Sequence, residues 1–342
     1  MKAGSGERLK RGKAWLPVAV VALAALSCNF PLLRRTPVPV IPRPTETVPS
    51  TQFPTDTPAP TQTPTGPAPQ PVEDFPTEGQ IVYVCTIEGI DQICLMDSSG
   101  ENSRRLTDHS ATSFYPSLSP ESNRIVFSSR RDGNFEIYEM DLDGYALQQL
   151  TRDIGSLYAP EISPDESKIV FTNDTGGRQH VWLMDRSGSD PHPLTQGDSD
   201  NLDPTWSPNG DLIAFASNRS GSTQLFTMRP DGSDVRQITF DVDRIGGRSA
   251  WSSDGRSLGF YAGSRQASDR NLYLVDLNTS SVRQITDGGD NLAPSFSPDG
   301  AWLAFTSYRS GNNDIWAMRV DRRGILQLTH DSRSDWQPRW SR

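Results

Sequence analysis

Two sets of charged residues lie in two segments of a repeated sequence unit, and they carry most of the chemistry that the chain offers. Aspartates gather in segments that follow Leu-Thr or Ile-Thr, and arginines occupy the third place of a Ser-x-Arg-x-Gly motif. Such side chains form ion pairs and charge-assisted hydrogen bonds with neighbouring loops or with a bound partner. The candidates are Asp198, Asp200, Asp203, Asp287, Asp290, Asp335, Arg131, Arg219 and Arg309.

The two sets differ in regularity. The arginines recur in register, which favours a structural role in tying loops together. The aspartates do not all recur, so they are the better candidates for partner specificity, although carboxylates also cap turns. The segment 198–203 offers several oxygens of the kind that Ca²⁺ prefers, but it lacks the glycine and the distal glutamate of an EF-hand loop. Asx-turns are therefore the favoured explanation, no cofactor is predicted, and calcium stays a minor alternative.

Residues for catalysis are not marked by any local motif. The four histidines, His109, His180, His192 and His330, lie outside any pattern typical of an acid, a base or a metal ligand. A nucleophilic serine needs a positioned base, and the Gly-x-Ser-x-Gly elbow of α/β-hydrolases does not occur in the sequence. We therefore predict no catalytic residue.

The elements that position these residues come from a repeat. A Pro-x-apolar-Ser-Pro-Asp-Gly unit, followed by Ile/Leu-x-Phe-x-Ser, returns at a spacing of 44 or 45 residues, beginning at Pro116, Pro160, Pro204, Ser249, Pro294 and Pro338. Each copy contains four short runs of alternating apolar residues separated by turn residues. This period predicts an all-β fold, a six-bladed β-propeller with four antiparallel strands per blade over residues 79–342.

The first copy lacks its own inner strand, and the chain ends with an unpaired one. We expect the segment Arg339 to Ser341 to pair with the first blade and close the ring, which removes an exposed sheet edge. In each blade the connections after strands two and four then lie at the same mouth, so the arginine and aspartate segments are predicted to share one face.

The repeat resembles the TolB-type β-propeller family over roughly residues 79–342, with Trp206, Trp251, Asp299 and Gly300 among the closest matches. The resemblance implies the propeller fold and partner binding at the central channel. Propellers of this type occur in periplasmic binding proteins, in adaptor lipoproteins and as gating domains of serine peptidases, so it does not choose an activity. Nothing here resembles the small α/β domain that precedes the propeller in TolB itself.

The N-terminus resembles a bacterial lipoprotein signal. A basic segment precedes an apolar run from Ala14 to Leu26, and Ser27-Cys28 follows it. In the predicted signal or anchor segment, residues 1–28, Cys28 would then be the lipidated first residue that remains after cleavage. The alternative is an uncleaved anchor, since Ala14 to Leu33 approaches the ~20 apolar residues of a membrane span. Both place the remainder outside the cytoplasmic membrane, on its outer face or in the cell envelope.

Residues 29–78 are rich in proline and threonine and predict a disordered tether, able to reach on the order of 100 Å as polyproline II. Cys85 and Cys94 fall on adjacent strands of the first blade, which in an oxidising compartment predicts a disulfide; two buried thiols are the alternative. The formal net charge is −9, and basic residues are dispersed among acidic ones, so nucleic acid is not an expected partner.

Taken together, these features predict a non-enzymatic, membrane-tethered monomer that binds an envelope protein, a peptide or a cell-wall component at its loop-rich mouth. Two other classes remain open. One is an extracellular hydrolase or lyase that acts on a polymer in the channel. Two clustered channel carboxylates, or a carboxylate and a histidine, would favour it. The other is a structural envelope spacer, which a flat and uniformly polar mouth would favour.

Overall fold

The computed structural model describes residues 75–76, 78–119, 123–264 and 268–341, all within one compact unit. The predicted signal at 1–28, its Cys28, and the predicted tether except for residues 75, 76 and 78 lie outside the described residues. The described chain forms 24 strands in six four-stranded sheets, each the blade of a propeller. No helix among these residues is long and apolar enough to cross a membrane.

The first blades contain the N-terminal strands and the last strand of the chain. Blade I consists of β1 (Gln80–Ile87), β2 (Ile90–Asp97), β3 (Arg104–Arg105) and β24 (Asp335–Ser341). Blade II consists of β4 (Ser113–Leu118), β5 (Arg124–Asp132), β6 (Asn134–Asp141) and β7 (Gln148–Gln149). Blade III consists of β8 (Ser156–Ile162), β9 (Lys168–Thr175), β10 (Arg178–Asp185) and β11 (His192–Pro193).

The remaining blades follow in chain order. Blade IV consists of β12 (Asn201–Trp206), β13 (Ile213–Ser217), β14 (Gln224–Met228) and β15 (Arg236–Gln237). Blade V consists of β16 (Ala250–Trp251), β17 (Ser257–Ala262), β18 (Asn271–Asp276) and β19 (Val282–Gln284). Blade VI consists of β20 (Asn291–Phe296), β21 (Trp302–Ser307), β22 (Asp314–Arg319) and β23 (Ile325–Gln327).

Ring closure takes the predicted form. The C-terminal β24 is the inner strand of blade I and pairs antiparallel with β1, with Gln80 opposite Ser341 and Val82 opposite Arg339. The blade therefore joins the two ends of the described chain, and the edge of β1 is covered. The six-bladed all-β prediction is confirmed.

The Leu-Thr or Ile-Thr ending of each blade has a local structural reason. In all six blades the threonine hydroxyl accepts a hydrogen bond at 2.8–2.9 Å from a backbone N–H of strand three, as Thr107 does from Ile93. Each of these threonines is buried. The bond fastens the end of a very short fourth strand, where a buried N–H without a partner would cost free energy.

The inner strands are irregular in a way that shapes the channel. In five of them the residue just before the proline position has a positive φ of about 50°, namely Tyr115, Ala159, Asp203, Ala293 and Gln337. The pairing register shifts at the same place, as in a β-bulge. Because bulges redirect side chains, this repeated irregularity determines which residues face the axis.

Candidate functional site

The loops after strands two and four meet at one end of the propeller, which we call the loop mouth. Backbone hydrogen bonds join the two sets, as between Thr86 N–H and the Ser334 carbonyl at 2.8 Å, and between Tyr308 N–H and the Gly289 carbonyl at 2.8 Å. The opposite end, formed by the Ser-Pro-Asp-Gly turns and the connections between strands three and four, is the turn mouth. The two ends thus present different surfaces.

The three recurrent arginines are each held by their own blade. The Arg219 guanidinium lies 5.2 Å and 5.0 Å from the ring centroids of Phe215 and Phe226. Its Nη2 also donates a hydrogen bond of 2.6 Å to Asn201 Oδ1. Arg309 repeats this arrangement with Phe305, Trp316 and Asn291, and Arg131 lies over Phe127 and Tyr138. These contacts favour the loop-tying interpretation.

The candidate aspartates do not form one surface. Asp198 and Asp287 are exposed, and Asp200 is half-buried with its Oδ2 accepting a 3.1 Å bond from Asn218 Nδ2. The expectation that Asp290 is a partner-binding carboxylate of an exposed loop is wrong. Asp290 is buried and forms a bidentate pair with Arg270, at 2.6 Å from Nε and 2.5 Å from Nη2.

Asp335 is buried completely, on β24 beside the closure of the ring. Neither of its carboxylate oxygens makes a hydrogen bond of ordinary geometry with a described residue. Burial, followed by the negative charge of Asp331, raises the pKa of Asp335 to about 7, and Arg333 and the Thr329 hydroxyl offset only part of this rise. It is opposite Cys85, which is bonded through its sulfur to Cys94. Asp335 is therefore a buried carboxylate of the inner strand of blade I rather than a residue of the rim.

Asp203 lies on β12 and faces the central channel rather than a loop. It is 8% exposed and belongs to a charged group that sequence reasoning missed. The other members are Arg248, Arg339 and Glu161, at or beside the proline position of three inner strands. Their place in the repeat was the available signal, because residues beside that proline line the axis in every blade.

The two arginines reach across the channel. Arg248 of blade V donates from Nη2 to the Pro116 carbonyl of blade II at 2.9 Å, and these blades are opposite each other. Arg339 of blade I donates from Nη1 to the Ser249 carbonyl of blade V at 3.1 Å, and its Nη2 lies 3.6 Å from Glu161 Oε2 of blade III. We call Asp203, Arg248, Arg339 and Glu161 the channel plug.

The electrostatics of the plug reflect its burial. Burial, and then repulsion from Arg339, lowers the pKa of Arg248 to about 9. Burial raises the pKa of Asp203, while Arg248 and Arg339 oppose that rise. Two guanidiniums and two carboxylates thus share a small, poorly solvated space in which each depends on the others for counter-charge.

Aromatic side chains form an arc at the loop mouth. Phe114, Phe135, Tyr158 and Trp336 come from blades I, II and III and are all half-buried. The Phe114 ring centroid lies 4.8 Å from Phe135, 6.1 Å from Tyr158 and 6.5 Å from Trp336. Tyr115 contacts the same group, at 4.9 Å from Phe114. We call these five residues the aromatic arc.

Two pockets flank the arc. A pocket of about 200 Å³ is lined by Phe114, Tyr115, Tyr158, Thr172, Gln179, Leu202 and Asp203. A pocket of about 470 Å³ lies between blades I, V and VI and includes Trp336, Asp91, Arg270 and Tyr308. A third pocket, of about 420 Å³, opens at the turn mouth and is lined by Glu161 and Arg339 among others. Asp203 and Glu161 therefore line pockets at opposite ends of the plug.

The positions of possible metal ligands and of two histidines bear on the alternatives of a metal site and of acid–base catalysis. No group of three or more His, Cys, Asp or Glu residues is arranged to hold a metal ion in the described ranges. The oxygens of segment 198–203 are dispersed, with Asp198 exposed and Asp203 in the channel wall. His109 Nδ1 accepts a 3.0 Å bond from Ala111 N–H, and His192 lies beside Asp190. Neither histidine is placed in the channel plug.

Comparison with known proteins finds relatives that match short parts of the chain and a solved structure that shares its fold. An uncharacterized protein of Agrobacterium fabrum is 36% identical over 89 residues, 26% of this chain and 30% of its own length. The Tol-Pal system protein TolB of Campylobacter jejuni is 38% identical over 56 residues, 16% of this chain and 14% of its own length. The chain thus spans less than a third of these curated relatives.

A solved structure and a family model extend over the propeller. The crystal structure of TolB from Acinetobacter baumannii superposes with a TM-score of 0.68 and 24% identity, over 77% of this chain and 66% of that one, which shows the shared fold. The model of the TolB β-propeller domain matches residues 80–288 and 245–342, nearly the whole described chain. The chain therefore belongs to the TolB β-propeller family.

Proposed function

We propose that this chain is an extracytoplasmic, membrane-tethered propeller that binds a protein of the cell envelope through the aromatic arc at its loop mouth. The arc carries the proposal. Five aromatic rings from three blades converge beside two pockets, and two more exposed aromatics, Phe240 at 55% and Tyr308 at 52%, lie on loops of the same mouth. Aromatic residues are enriched at protein interfaces, and tryptophan and tyrosine are enriched among the few residues that carry most of the binding energy.

The channel plug supports binding at the mouth rather than passage through the ring. Arg248 and Arg339 cross the channel and are anchored on backbone carbonyls of distant blades. A partner that approaches from the loop side meets a floor of fixed charges with aromatic walls above it. This arrangement suits insertion of a few side chains into shallow pockets.

The tether and the compartment rest on the sequence and on the disulfide. The basic and apolar N-terminal segments, Cys28, and the proline-rich stretch are typical of an exported and anchored protein. A Cys85–Cys94 bond is stable in an oxidising compartment. Cys28→Ala should abolish lipid labelling and leave the precursor unprocessed. Normal processing of this variant would indicate an ordinary secretory signal instead.

A polymer hydrolase or lyase is not proposed, because the two channel carboxylates are not placed as a pair. Glu161 Oε1 already accepts bonds from Thr205 Oγ1 at 2.9 Å and from Trp206 N–H at 2.8 Å. Glu161 lines a pocket at the turn mouth, whereas Asp203 lines a pocket at the loop mouth. Two carboxylates that open to opposite ends do not flank one scissile bond.

The proposal is tested by capture of envelope proteins with matched surface variants. The tagged full chain is expressed in its own cell envelope and purified after brief chemical crosslinking. Tyr158→Ala with Trp336→Ala removes two rings of the arc, and Tyr145→Ala with Leu147→Ala removes exposed apolar side chains at the turn mouth, at 75% and 47% exposure.

We expect one envelope protein to be captured by the wild type and by the turn-mouth variant and to be lost from the arc variant. Equal export and equal melting temperature of all three chains are the controls. Undiminished capture by the arc variant would contradict the proposal, and capture of no protein above background would favour the spacer.

A further inference from the structure

The smaller loop-mouth pocket combines aromatic walls with a carboxylate on its floor. Its volume is about 200 Å³, enough for one side chain, and its walls include Phe114, Tyr115 and Tyr158. Asp203, at the base, is 8% exposed. Gln179 lies on the rim, where its N–H is 3.3 Å from Asp200 Oδ1. We call this space the Asp203 pocket.

In the described chain, the Asp203 carboxylate is influenced by burial and by the charges of two arginines, with no hydrogen-bond donor among these influences. Its backbone N–H donates to Thr172 Oγ1 at 2.8 Å. Arg248 and Arg339 are close enough to act on its charge, but their hydrogen bonds go to the Pro116 and Ser249 carbonyls. A buried carboxylate without hydrogen-bond donors is costly. Its free lone pairs are therefore available to a group that enters from the mouth.

A cationic group complements both the aromatic walls and the carboxylate of this pocket. Aromatic faces attract a cation within about 6 Å of the ring centroid, and a carboxylate accepts a charge-assisted hydrogen bond from it. An anionic or purely apolar side chain would instead leave the carboxylate without a donor. We propose that the Asp203 pocket receives the basic side chain, lysine or arginine, of the envelope protein that binds the loop mouth.

The charges of the channel plug are compatible with this occupant. Arg339 is shared with Glu161, which lies 3.6 Å from its Nη2, so Asp203 does not have two guanidiniums to itself. Neither Arg248 nor Arg339 lines the Asp203 pocket, and Asp203 is its single charged lining residue. The Arg248 guanidinium lies 5.2 Å from the ring centroid of Tyr115, so the other two aromatic walls, Phe114 and Tyr158, are the ones left to a cation. A ligand in the pocket meets the carboxylate directly.

This inference rests on the proposed function, because it names the chemistry by which the same partner is recognised. It is tested with fluorescein-labelled peptides, Ac-Leu-X-Leu with X as lysine, arginine, norleucine or glutamate, and fluorescence anisotropy on the purified full chain. Norleucine matches lysine in length but carries no charge. We expect the Kd of the lysine or the arginine peptide to be at least about tenfold lower than that of the norleucine peptide.

Two variants assign the preference to the pocket. Asp203→Asn keeps the shape and should reduce the ratio of lysine-peptide to norleucine-peptide affinity to near one. Asp241→Asn, an exposed carboxylate on a different loop of the same mouth, should leave this ratio unchanged. Gln179→Lys keeps Asp203 and places a tethered ammonium on the rim, so it should compete with the lysine peptide. If Asp203→Asn lowers the melting temperature, Gln179→Lys still tests whether the pocket binds the lysine peptide.

Equal binding of all four peptides to the wild type, or an intact preference in Asp203→Asn, would overturn the inference, as would the absence of any peptide binding. These outcomes are separable from failure of the proposed function. A partner that depends on Tyr158 and Trp336 but tolerates Asp203→Asn would retain the mouth as the interface and exclude the basic anchor.

Discussion

Arg248 Nη2 donates a 2.9 Å hydrogen bond to the carbonyl oxygen of Pro116, across the full width of the channel. The two residues belong to opposite blades and are 132 positions apart in sequence. The bond links two opposite blades across the channel, in addition to the closure of the ring by β24 within blade I. It also fixes Arg248 beside Asp203, so the stability of the fold and the floor of the loop mouth depend on the same side chain.

The first prediction concerns that side chain. Arg248→Met should lower the free energy of unfolding by about 3–5 kcal/mol, because it leaves the buried Asp203 with less counter-charge. Adding Asp203→Asn should recover part of the loss, since the amide carries no charge. Denaturant unfolding of both single variants and the double variant gives the coupling. Strict additivity of the two changes would show that they do not interact.

The second prediction is a pH dependence that comes from Asp335. Its pKa is about 7 in the folded chain and near 3.8 when unfolded, so the folded state binds more protons between these values. Its contribution to stability is present at low pH and is lost as pH rises from about 4 through 7. The gain in unfolding free energy of Asp335→Asn over the wild type should therefore be larger at pH 8 than at pH 4, by roughly 2–4 kcal/mol.

Unfolding free energies of wild type and variant, measured from pH 4 to pH 8, check this prediction through their difference. Asparagine is a natural choice at this place, because Asn201 and Asn291 occupy it in blades IV and VI. A difference that does not change with pH would show that Asp335 titrates normally.

The third prediction separates two neighbouring aspartates. Asp290→Ala should destabilise the chain by about 2–4 kcal/mol, because it leaves the largely buried Arg270 without its bidentate partner. Asp287→Ala, three residues away and exposed, should change stability by less than about 0.5 kcal/mol. Thermal melts of the two variants are the measurement, and equal effects would refute the distinction.

The fourth prediction concerns closure of the ring. Deletion of residues 335–342 removes β24, uncovers the edge of β1 and takes Arg339 out of the channel plug. We expect the cooperative melting transition to be lost or shifted sharply downward. A truncated chain that melts like the wild type would show that closure contributes nothing to stability.

The fold was predictable because its signals are local and are copied six times. Each signal predicts the structure of a few neighbouring positions: the alternating apolar residues, the turn residues and the threonine at the end of each blade, such as Thr107. Because the pattern occurs six times, deviations in single copies do not hide it. Even the closure followed from local information, because an unpaired strand at one end matched a missing strand at the other. No long-range contact had to be inferred to count the blades.

The site was only partly predictable, for physical reasons. Nothing in the local sequence marks Asp290 as buried and Asp287 as exposed, because the partner of Asp290 is Arg270, which lies 20 positions away. The contact between Arg248 and Pro116 depends on ring geometry rather than on nearby residues. The aromatic arc, by contrast, had a readable signal, since Phe114, Tyr158 and Trp336 all stand two places before the repeated proline.

The central claim, that the aromatic arc binds an envelope protein, is tested most directly by site-specific photocrosslinking in living cells. A photoreactive phenylalanine analogue replaces Tyr158 in the arc or Tyr145 at the turn mouth, both in the full chain. We predict one discrete crosslinked envelope protein from position 158 and none of that size from position 145. The same product from both positions, or a product only from position 145, would contradict the account.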